Sequence, residues 1–327
     1  MKNDLTSIVE CIKENHYFTL VSHVSPDGDN IGSMISLGLA LQNMGKDVIL
    51  INSDLTPSKY DFMTDRIPIA NTLEQHNSKR VTVYLDCTDS SRVGETLASE
   101  FSEIAKEKPI VNIDHHISNT SYGELNLIDP HASATGEIVY YLLQELNVEI
   151  DQHIATAIYT AIMTDTGSFR YQNTTGKTLR IASELLDLGA NLDVINESVY
   201  ETVEFENICF LAKAIAQIDR TDDGQICWIK LKHELIEEFN YKDTSAIEGL
   251  VGYTKSVAGV KIGILFTEMT PGVVKISFRS KGDMDVNQLA SKFGGGGHQR
   301  AAGCKINGAL EKAVAEVIAE AQKMVAR

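Results

Sequence analysis

Short apolar runs alternate with helical repeats through the first 190 residues. Apolar residues at helical spacing predict helices over 5–12, 31–44, 134–146, 154–163 and 177–188. Four runs predict strands: FTLVSHV (18–24), DVILIN (47–52), VTVYLD (81–86) and PIVNID (109–114). Each run is continuously apolar, as strands buried on both faces are. Strands that alternate with helices predict an α/β fold with a doubly wound, mainly parallel sheet.

The pattern changes around Gly189. Residues 191–215 are mostly polar and predict a helical linker between a domain of residues 1–190 and a domain of residues 216–327. Three later segments predict strands: ICWIKL, VKIGILFTEM and VVKISFRS. DVNQLASKF predicts a helix, GGGGHQRAAG a loop, and residues 309–325 a closing helix. The turn TPG between the second and third strands predicts an antiparallel hairpin. The second, smaller domain is therefore predicted to be α+β.

Charge is distributed unevenly between these parts. The chain of 327 residues has a formal net charge of −16. Residues 1–215 carry 14 basic and 31 acidic groups, whereas residues 216–327 carry 15 basic and 14 acidic groups. This balance argues against a groove for long nucleic acid. The chain contains neither an apolar run of the ~20 residues that span a bilayer nor an apolar leader segment. Five scattered cysteines favour the reducing cytoplasm.

Polar side chains gather where the predicted strands end. His23, Asp27 and Asp29 follow the first strand, Asp86 ends VTVYLD, and Asp114, His115 and His116 end PIVNID, while Asp165 lies in MTDTGSF after a helix. Ligands of open α/β sheets bind outside the carboxyl ends of the strands. We therefore expect these groups to converge.

Each feature also has a structural interpretation when it is taken alone. An aspartate after a strand is usually a turn or cap residue, and Asp29 could cap the helix that follows it. The occurrence of all four polar groups together, three of them at the ends of separate strands, favours a shared site. Carboxylates and imidazoles without a thiolate cluster suit Mn²⁺, Mg²⁺, Fe²⁺ or Zn²⁺. There are more candidate ligands than one ion takes, so the set predicts two divalent ions, which would also explain why Asp27 and Asp29 lie so close together.

The ordered motifs HVSPDGDNIGS, LDCTD, DHH and TDTGSF resemble those of the DHH phosphoesterase superfamily, and GGGGHQRAAG resembles the signature of the DHH-associated C-terminal domain. The resemblance covers essentially the whole chain. Length and domain pairing are similar to the nano-RNase branch, whose members hydrolyse very short oligoribonucleotides of 2–5 nucleotides and dephosphorylate 3′-phosphoadenosine 5′-phosphate (pAp).

The resemblance implies a role for each motif residue. His23, Asp27 and Asp86 would bind one ion, and Asp29, Asp86, His115 and Asp165 the other, with Asp86 as the bridge. His116 would face the phosphate and donate a proton to the leaving oxygen. Asp114 would orient a neighbouring imidazole. Mn²⁺ is the expected metal, with Mg²⁺, Fe²⁺, Co²⁺ and Zn²⁺ as alternatives.

The second domain is expected to bind the substrate. Gly295, Gly296 and Gly297 would let backbone amides approach an anion, His298 could donate to phosphate, and Arg279 with Ser280 could bind a second phosphate. Arg170, in the first domain, could also contact phosphate. Each has a structural alternative: a flexible glycine turn, a surface arginine at position 279, and an ion pair at position 170.

These residues predict a hydrolase of phosphoric esters that acts on short oligoribonucleotides and nucleotide bisphosphates, without long nucleic acid or membrane as partner. Two alternatives stay open. One is a phosphodiesterase dedicated to pApA or cyclic di-AMP, and the other is a non-catalytic nucleotide-sensing protein. A homodimer is a further prediction.

Overall fold

The chain forms two compact units in a computed structural model, Met1–Thr202 and Val203–Arg327. The structure describes residues 2–74, 77–103, 108–239 and 244–326. The boundary between the units falls inside the predicted linker of residues 191–215. That this segment acts as a linker stays a prediction.

The first unit is built on a six-stranded sheet in which all paired strands are parallel. Its strands are β1 (Tyr17–Ser22), β2 (Asp47–Ile51), β3 (Ile69–Ala70), β4 (Val81–Leu85), β5 (Ile110–Asp114) and β6 (Leu125–Ile128). They lie in the order β3-β2-β1-β4-β5-β6, the arrangement of doubly wound folds. The predicted fold class is confirmed. The sequence did not predict β3 and β6, which are too short to produce a pattern.

Helices cover both faces of this sheet. They are α1 (Lys2–Glu14), α2 (Gly28–Asn43), α3 (Glu95–Glu103), α4 (Thr135–Glu145), α5 (Gln152–Asp165), α6 (Gly176–Asp187) and α7 (Leu192–Asn196), with a π-helical turn at Glu197–Glu201 and 3₁₀ turns at Ser58–Met63 and Ser90–Val93. Phe18 and Leu20 of β1 pack in the large core with α2, α4 and α5. Val21 faces the other way, into a smaller core with Leu97 and Phe101 of α3.

Two glycines of the HVSPDGDNIGS segment let α2 pack very closely on α5. A Cβ atom at Gly28 would lie 2.3 Å from Thr164 Oγ1, and one at Gly32 would lie 2.4 Å from the Ala157 carbonyl oxygen. Any larger residue would push the helices apart. This contact brings the start of α2, with Asp27 and Asp29, to the end of α5, with Asp165.

The second unit has a mixed six-stranded sheet in the order β11-β12-β10-β9-β8-β7. Its elements are α8 (Phe205–Ile215), β7 (Ile218–Arg220), β8 (Ile226–Leu231), α9 (His233–Glu238), α10 (Thr244–Ser256), β9 (Ile262–Thr270), β10 (Val273–Ser280), α11 (Val286–Ser291), β11 (Gly296–His298), β12 (Ala301–Asn307) and α12 (Leu310–Val325). The β8–β9 pair is parallel and the other pairs are antiparallel. The predicted hairpin of β9 and β10 is confirmed.

The segment GGGGHQRAAG is a β-hairpin, so the predicted loop is wrong. Its residues form β11 and the start of β12, with Gly297 opposite Ala302 and His298 opposite Ala301. A Cβ atom at Gly295 would lie 2.1 Å from the Gly303 carbonyl oxygen, and one at Gly297 would lie 2.6 Å from that of Ala301. The glycines therefore serve close strand packing. Pattern analysis misses such a strand because it carries almost no side chains.

Within the described parts of the chain, every helix is too short or too polar to cross a membrane. All five cysteines lie in those parts, and each is a free thiol.

Candidate metal centre

The candidate site lies where the strand order of the first unit reverses, between β1 and β4. Doubly wound sheets bind ligands at this point, outside the carboxyl ends of the strands. His23 follows β1 directly and Asp86 follows β4 directly. Asp86 has φ +56°, a conformation that non-glycine residues rarely adopt and that tends to occur at functional sites.

His23, Asp27 and Asp86 form the first group. One ligand atom from each lies within 4.8 Å of the others. His23 Nδ1 lies 2.7 Å from the Val24 carbonyl oxygen, and its Nε2 lies 3.3 Å from Asp86 Oδ2. Because a carbonyl can only accept, Nδ1 carries the proton, and Nε2 is available as a ligand.

Asn30 and Asn52 fix the position of His23. Their side-chain amides each donate to the His23 carbonyl oxygen at 3.0 Å. Asp27 also caps α2, since its carboxylate accepts from the Asn30 amide at 3.0 Å. Asp27, rather than Asp29, is thus the cap of this helix. The sequence analysis did not identify either asparagine.

Asp29, His115 and Asp165 form the second group, again with ligand atoms within 4.8 Å of one another. His115 Nε2 lies 3.8 Å from Asp29 Oδ2, 3.7 Å from Asp165 Oδ2 and 3.7 Å from Asp86 Oδ1. Asp86, His115 and His116 form a third such group, so Asp86 and His115 connect the first two.

The carboxylates of this cluster are crowded, and those of Asp29 and Asp86 are buried, whereas Asp27 is exposed and Asp165 is half-buried. Burial, followed by the charges of Asp86 and Asp165, raises the pKa of Asp29 well above its usual range. Burial raises the pKa of Asp165 to about 6. Burial alone would raise the pKa of Asp86 too, but the His23 hydrogen bond and the charges of nearby histidines lower it. Burial is the first cause of these raised pKa values and neighbouring carboxylates add to it, and divalent cations at these oxygens would stabilise the ionised forms.

Residues 132–136 form hydrogen bonds with three residues of the cluster. The sequence analysis did not identify this segment. Asp29 accepts two backbone hydrogen bonds, from the Thr135 amide at 2.7 Å and the Gly136 amide at 2.9 Å. The Thr135 hydroxyl donates to Asp86 Oδ1 at 3.0 Å. The Ala132 carbonyl oxygen lies 3.4 Å from His115 Nδ1. One short segment thus orients three of the clustered residues.

Glu137, at the start of α4, anchors this segment. Its side chain is 1% exposed, and its Oε2 accepts from the Ser133 hydroxyl at 2.7 Å, the Ser133 amide at 3.2 Å and Thr178 Oγ1 at 3.2 Å. Lys177 Nζ lies 3.0 Å from Oε1, so the buried charge is paired. The Ser133 carbonyl oxygen accepts in turn from Asn173 Nδ2 at 2.9 Å, and this amide also donates to Asp165 Oδ2 at 3.3 Å.

His116 is held by Asp114. Its Nδ1 lies 2.8 Å from Asp114 Oδ1, and Asn119 Nδ2 donates to Asp114 Oδ2 at 2.6 Å. The hydrogen bond to Asp114 raises the pKa of His116 to about 9. Asp114 is 0% exposed, whereas the His116 side chain is 42% exposed. The imidazole therefore presents a protonated Nε2 to solvent beside the cluster.

The candidate substrate residues are distributed over both units. In the first unit, Arg170 is exposed and donates from Nε to the Gly167 carbonyl oxygen at 2.6 Å. In the second unit, Arg279 is half-buried in β10 and His298 is exposed in β11. Gly295, Gly296 and Gly297 belong to the β11 hairpin described above.

Ser280 is 4% exposed, and its hydroxyl donates to the Met284 carbonyl oxygen at 2.7 Å. This bond indicates a structural role in place of the predicted phosphate contact.

Comparison with known proteins agrees with this geometry. Residues 18–162 match the DHH family, N-terminal domain, and residues 232–326 match the DHHA1 domain. The bifunctional oligoribonuclease and PAP phosphatase NrnA of Thermus thermophilus is 31% identical over 309 residues, which cover 94% of this chain and 90% of that protein. The chain belongs to the DHH family.

Other DHH family relatives extend over nearly the full length. The bifunctional oligoribonuclease and PAP phosphatase NrnA of Bacillus subtilis is 26% identical, over 92% of this chain and 93% of its own. The crystal structure of an exopolyphosphatase-related protein from Bacteroides fragilis superposes with a TM-score of 0.88 at 28% identity, covering 99% of this chain and 96% of that one. The predicted membership and two-domain fold are therefore confirmed.

Proposed function

We propose that this protein is a metal-dependent phosphoesterase that hydrolyses oligoribonucleotides of 2–5 nucleotides to mononucleotides and removes a phosphate from pAp. The observation that carries the proposal is the pair of three-residue groups joined through Asp86. Two full-length relatives whose names state both activities support it.

The donor set fits two divalent cations. His23, Asp27 and Asp86 would hold one, and Asp29, Asp86, His115 and Asp165 the other. Oxygen-rich sites with imidazole suit Mn²⁺ and its neighbours, and we propose Mn²⁺ as the physiological metal. When bound, such a pair of ions lowers the pKa of a shared water and neutralises charge on the phosphate.

The protein's own groups would complete the reaction. Asp114 accepts a hydrogen bond from Nδ1–H of His116 and so fixes the ring, which leaves Nε2–H free to donate to the leaving ester oxygen. Asp114 is thus a positioning residue and His116 the proposed acid. The same donor would serve a diester and a terminal monoester, since both release an oxygen anion.

We further propose that Arg279 and His298 bind a substrate phosphate or base. Arg279 lies one residue before the end of β10 and donates from one Nη to the Phe278 carbonyl oxygen at 3.0 Å. The remaining N–H groups of its planar guanidinium suit phosphate binding. Arg170 is a second candidate, because it is exposed five residues after Asp165. We also propose that a phosphate approaches the backbone of β11 at Gly296, which is exposed and has no side chain in the way.

The decisive experiment is a substrate panel. Metal-replete protein is incubated with di- to pentanucleotides, a 20-mer, pAp, pApA and cyclic di-AMP, and the products are separated by HPLC. We expect kcat/KM for di- to tetranucleotides to exceed that for the 20-mer by well over tenfold, about 1.4 kcal/mol per decade. Turnover of only pApA or cyclic di-AMP would establish the dedicated phosphodiesterase instead. Binding without any turnover in Mn²⁺ would establish the sensing protein.

Two further properties belong to this proposal. Five free cysteines fit a reducing cytoplasm, where such thiols persist. A homodimer stays a prediction, and light scattering on the purified protein would test it.

A further inference from the structure

The turn that follows α5 in the first unit starts and ends at Asp165. The helix ends at this residue, and Asn173 donates from Nδ2 to Asp165 Oδ2 at 3.3 Å and to the Asp165 carbonyl oxygen at 3.2 Å. Between them, the backbone amides of Arg170 and Tyr171 both donate to the Thr166 carbonyl oxygen at 3.0 Å. The whole turn is therefore held beside a proposed metal ligand.

Three consecutive residues of this turn have a left-handed backbone. The φ angle is +56° at Gly167, +59° at Ser168 and +62° at Phe169. Residues other than glycine rarely adopt this conformation, and it tends to occur at functional sites. The two aromatic side chains of the turn lie in different surroundings. Phe169 packs edge-on against Tyr159 at the large core, with ring centroids 5.9 Å apart, whereas Tyr171 is 60% exposed.

Gly167 fixes the position of the Tyr171 ring. A Cβ atom at Gly167 would lie 2.4 Å from Tyr171 Cζ and 2.6 Å from both Cε1 and Cε2, so one face of the ring lies directly on the glycine backbone. The other face accounts for much of the exposed surface of the side chain. A side chain that is ordered before a ligand arrives loses less conformational entropy on binding. Tyr171 is thus an oriented aromatic surface beside the candidate metal centre.

An open tyrosine ring at this place suits a nucleobase. Bases of single-stranded RNA stack on aromatic side chains, and this stacking accepts any base, because every base has a π-face. A nucleotide joins such a ring to a phosphate. Asp165, in the group proposed to hold a metal ion at the phosphate, begins the turn that carries Tyr171. One nucleotide could therefore use both features of the turn.

We propose that Tyr171 stacks against a base next to the reacting phosphate and so makes the protein prefer nucleotides to other phosphate esters, an inference that rests on the proposed function. The stack would supply binding energy from a part of the substrate that does not react, and this energy positions the phosphate. All four bases should be accepted, with a modest preference for purines because their rings present a larger face.

The test pairs a change in the protein with a change in the substrate. The kcat/KM of Mn²⁺-loaded protein is measured for a diadenosine dinucleotide and for its abasic counterpart, in which hydrogen replaces both bases. Tyr171→Ala should lower the value for the dinucleotide about tenfold, within the range that base–aromatic stacking provides, and change the abasic value less than about twofold. Tyr171→Phe keeps the ring and should stay within about twofold of wild type for both substrates.

Two further variants separate stacking from packing. Tyr171→Leu still covers Gly167 with an apolar side chain but has no ring, so its loss for the dinucleotide should match that of Tyr171→Ala. Tyr17→Ala is the control. Tyr17 is 43% exposed and is the first residue of β1, at the other end of that strand from His23. This control should leave both substrates unaffected, and the Tyr171 variants should bind Mn²⁺ like wild type.

Equal losses for the dinucleotide and its abasic counterpart, an unchanged dinucleotide value in Tyr171→Ala, or full activity of Tyr171→Leu would overturn the stack. Failure of the proposed function is a separate result, in which the wild-type protein hydrolyses neither substrate with Mn²⁺. Calorimetry then decides, with a dinucleotide analogue that has a methylene group in place of the scissile oxygen and with its abasic counterpart. In Tyr171→Ala, an affinity loss of about tenfold confined to the analogue with bases supports the stack, and unchanged affinities reject it.

Discussion

The two units of this protein hold charge in opposite ways. At the edge of the parallel sheet in the first unit, carboxylates such as Asp29 and Asp86 are buried against one another. On the mixed sheet of the second unit, Lys275, Lys305 and His298 are exposed. Buried like charges are tolerable only when a partner neutralises them, whereas exposed like charges persist in water at little cost. The first arrangement suits tightly bound cations and the second an exchanging anion.

This difference predicts how each region responds to substitution. Removing a buried carboxylate should change what the protein can do to any ester. Removing an exposed cation should change only which substrates it prefers. The following substitutions test that division, starting with the largest expected effect.

Asp86→Ala should have the largest effect, because it removes the carboxylate that we propose as a ligand of both metal ions. Losing both ions costs several kcal/mol of charge stabilisation, which is a loss of at least about a thousandfold in turnover. Metal content, measured by mass spectrometry, should fall together with activity, while circular dichroism stays native. Asp89→Ala is the control: Asp89 lies three residues on and caps a 3₁₀ turn. Near-wild-type turnover by a confirmed Asp86→Ala protein would exclude the two-metal site.

His116→Ala should lower turnover of every ester by about 10²- to 10⁴-fold, the range for a lost acid–base group. Dinucleotide, pAp and bis-p-nitrophenyl phosphate should all be affected, and two Mn²⁺ should still bind. His153→Ala, at the other end of α5 from Asp165, should leave all three rates unchanged. A loss confined to the nucleotides would mean that His116 binds substrate instead of donating a proton.

Arg279→Ala and His298→Ala should each lower kcat/KM for dinucleotides and pAp by about 30- to 150-fold, or about 2–3 kcal/mol if a charge-assisted bond to phosphate is removed. Binding energy from remote substrate groups positions the reacting phosphate. The artificial ester lacks a nucleotide, so its hydrolysis and the binding of two Mn²⁺ should persist. Ser280→Ala is an informative companion, because its buried hydroxyl should affect stability more than substrate choice. If the artificial ester suffers as much as the nucleotides, the proposed division between the units is wrong.

The first of the two regions was largely predictable from the sequence. Its residues follow strands, and the carboxyl ends of parallel strands share one edge, so His23, Asp86 and His115 could be grouped without a structure. Runs such as VTVYLD and PIVNID are apolar enough to identify buried strands. The short β3 and β6 were not predictable, because two to four residues do not establish a period.

The second region depends on register, which the sequence alone does not supply. Lys275 and Lys305 lie 30 positions apart and become neighbours only through the pairing of β10 with β12. The hairpin of β11 and β12 was not predicted, because a run of glycines shows no alternation of apolar and polar side chains. The same limit applies to the support behind the metal centre, where the Thr135 and Gly136 donors to Asp29 are backbone amides and therefore leave no mark in the sequence.

That support leads to the smallest expected effect. Glu137 touches none of the proposed ligands, but it holds Ser133 and so the segment that orients Asp29, Asp86 and His115. Outer partners of metal ligands typically account for 10- to 100-fold in metal affinity. Glu137→Gln should weaken one Mn²⁺ site about tenfold in calorimetric titration of metal-free protein, with kcat close to wild type once Mn²⁺ saturates.

The matched control is Lys177→Met, which removes the half-exposed partner of Glu137 and leaves its bonds to Ser133 in place. This variant should keep both Mn²⁺ affinities within about twofold. A purely structural role for Glu137 would lower the melting temperature of the metal-free protein in both variants and leave Mn²⁺ affinity alone. Rescue of turnover by excess Mn²⁺ in Glu137→Gln, and its absence in Asp86→Ala, would distinguish a residue that orients ligands from one that is a ligand.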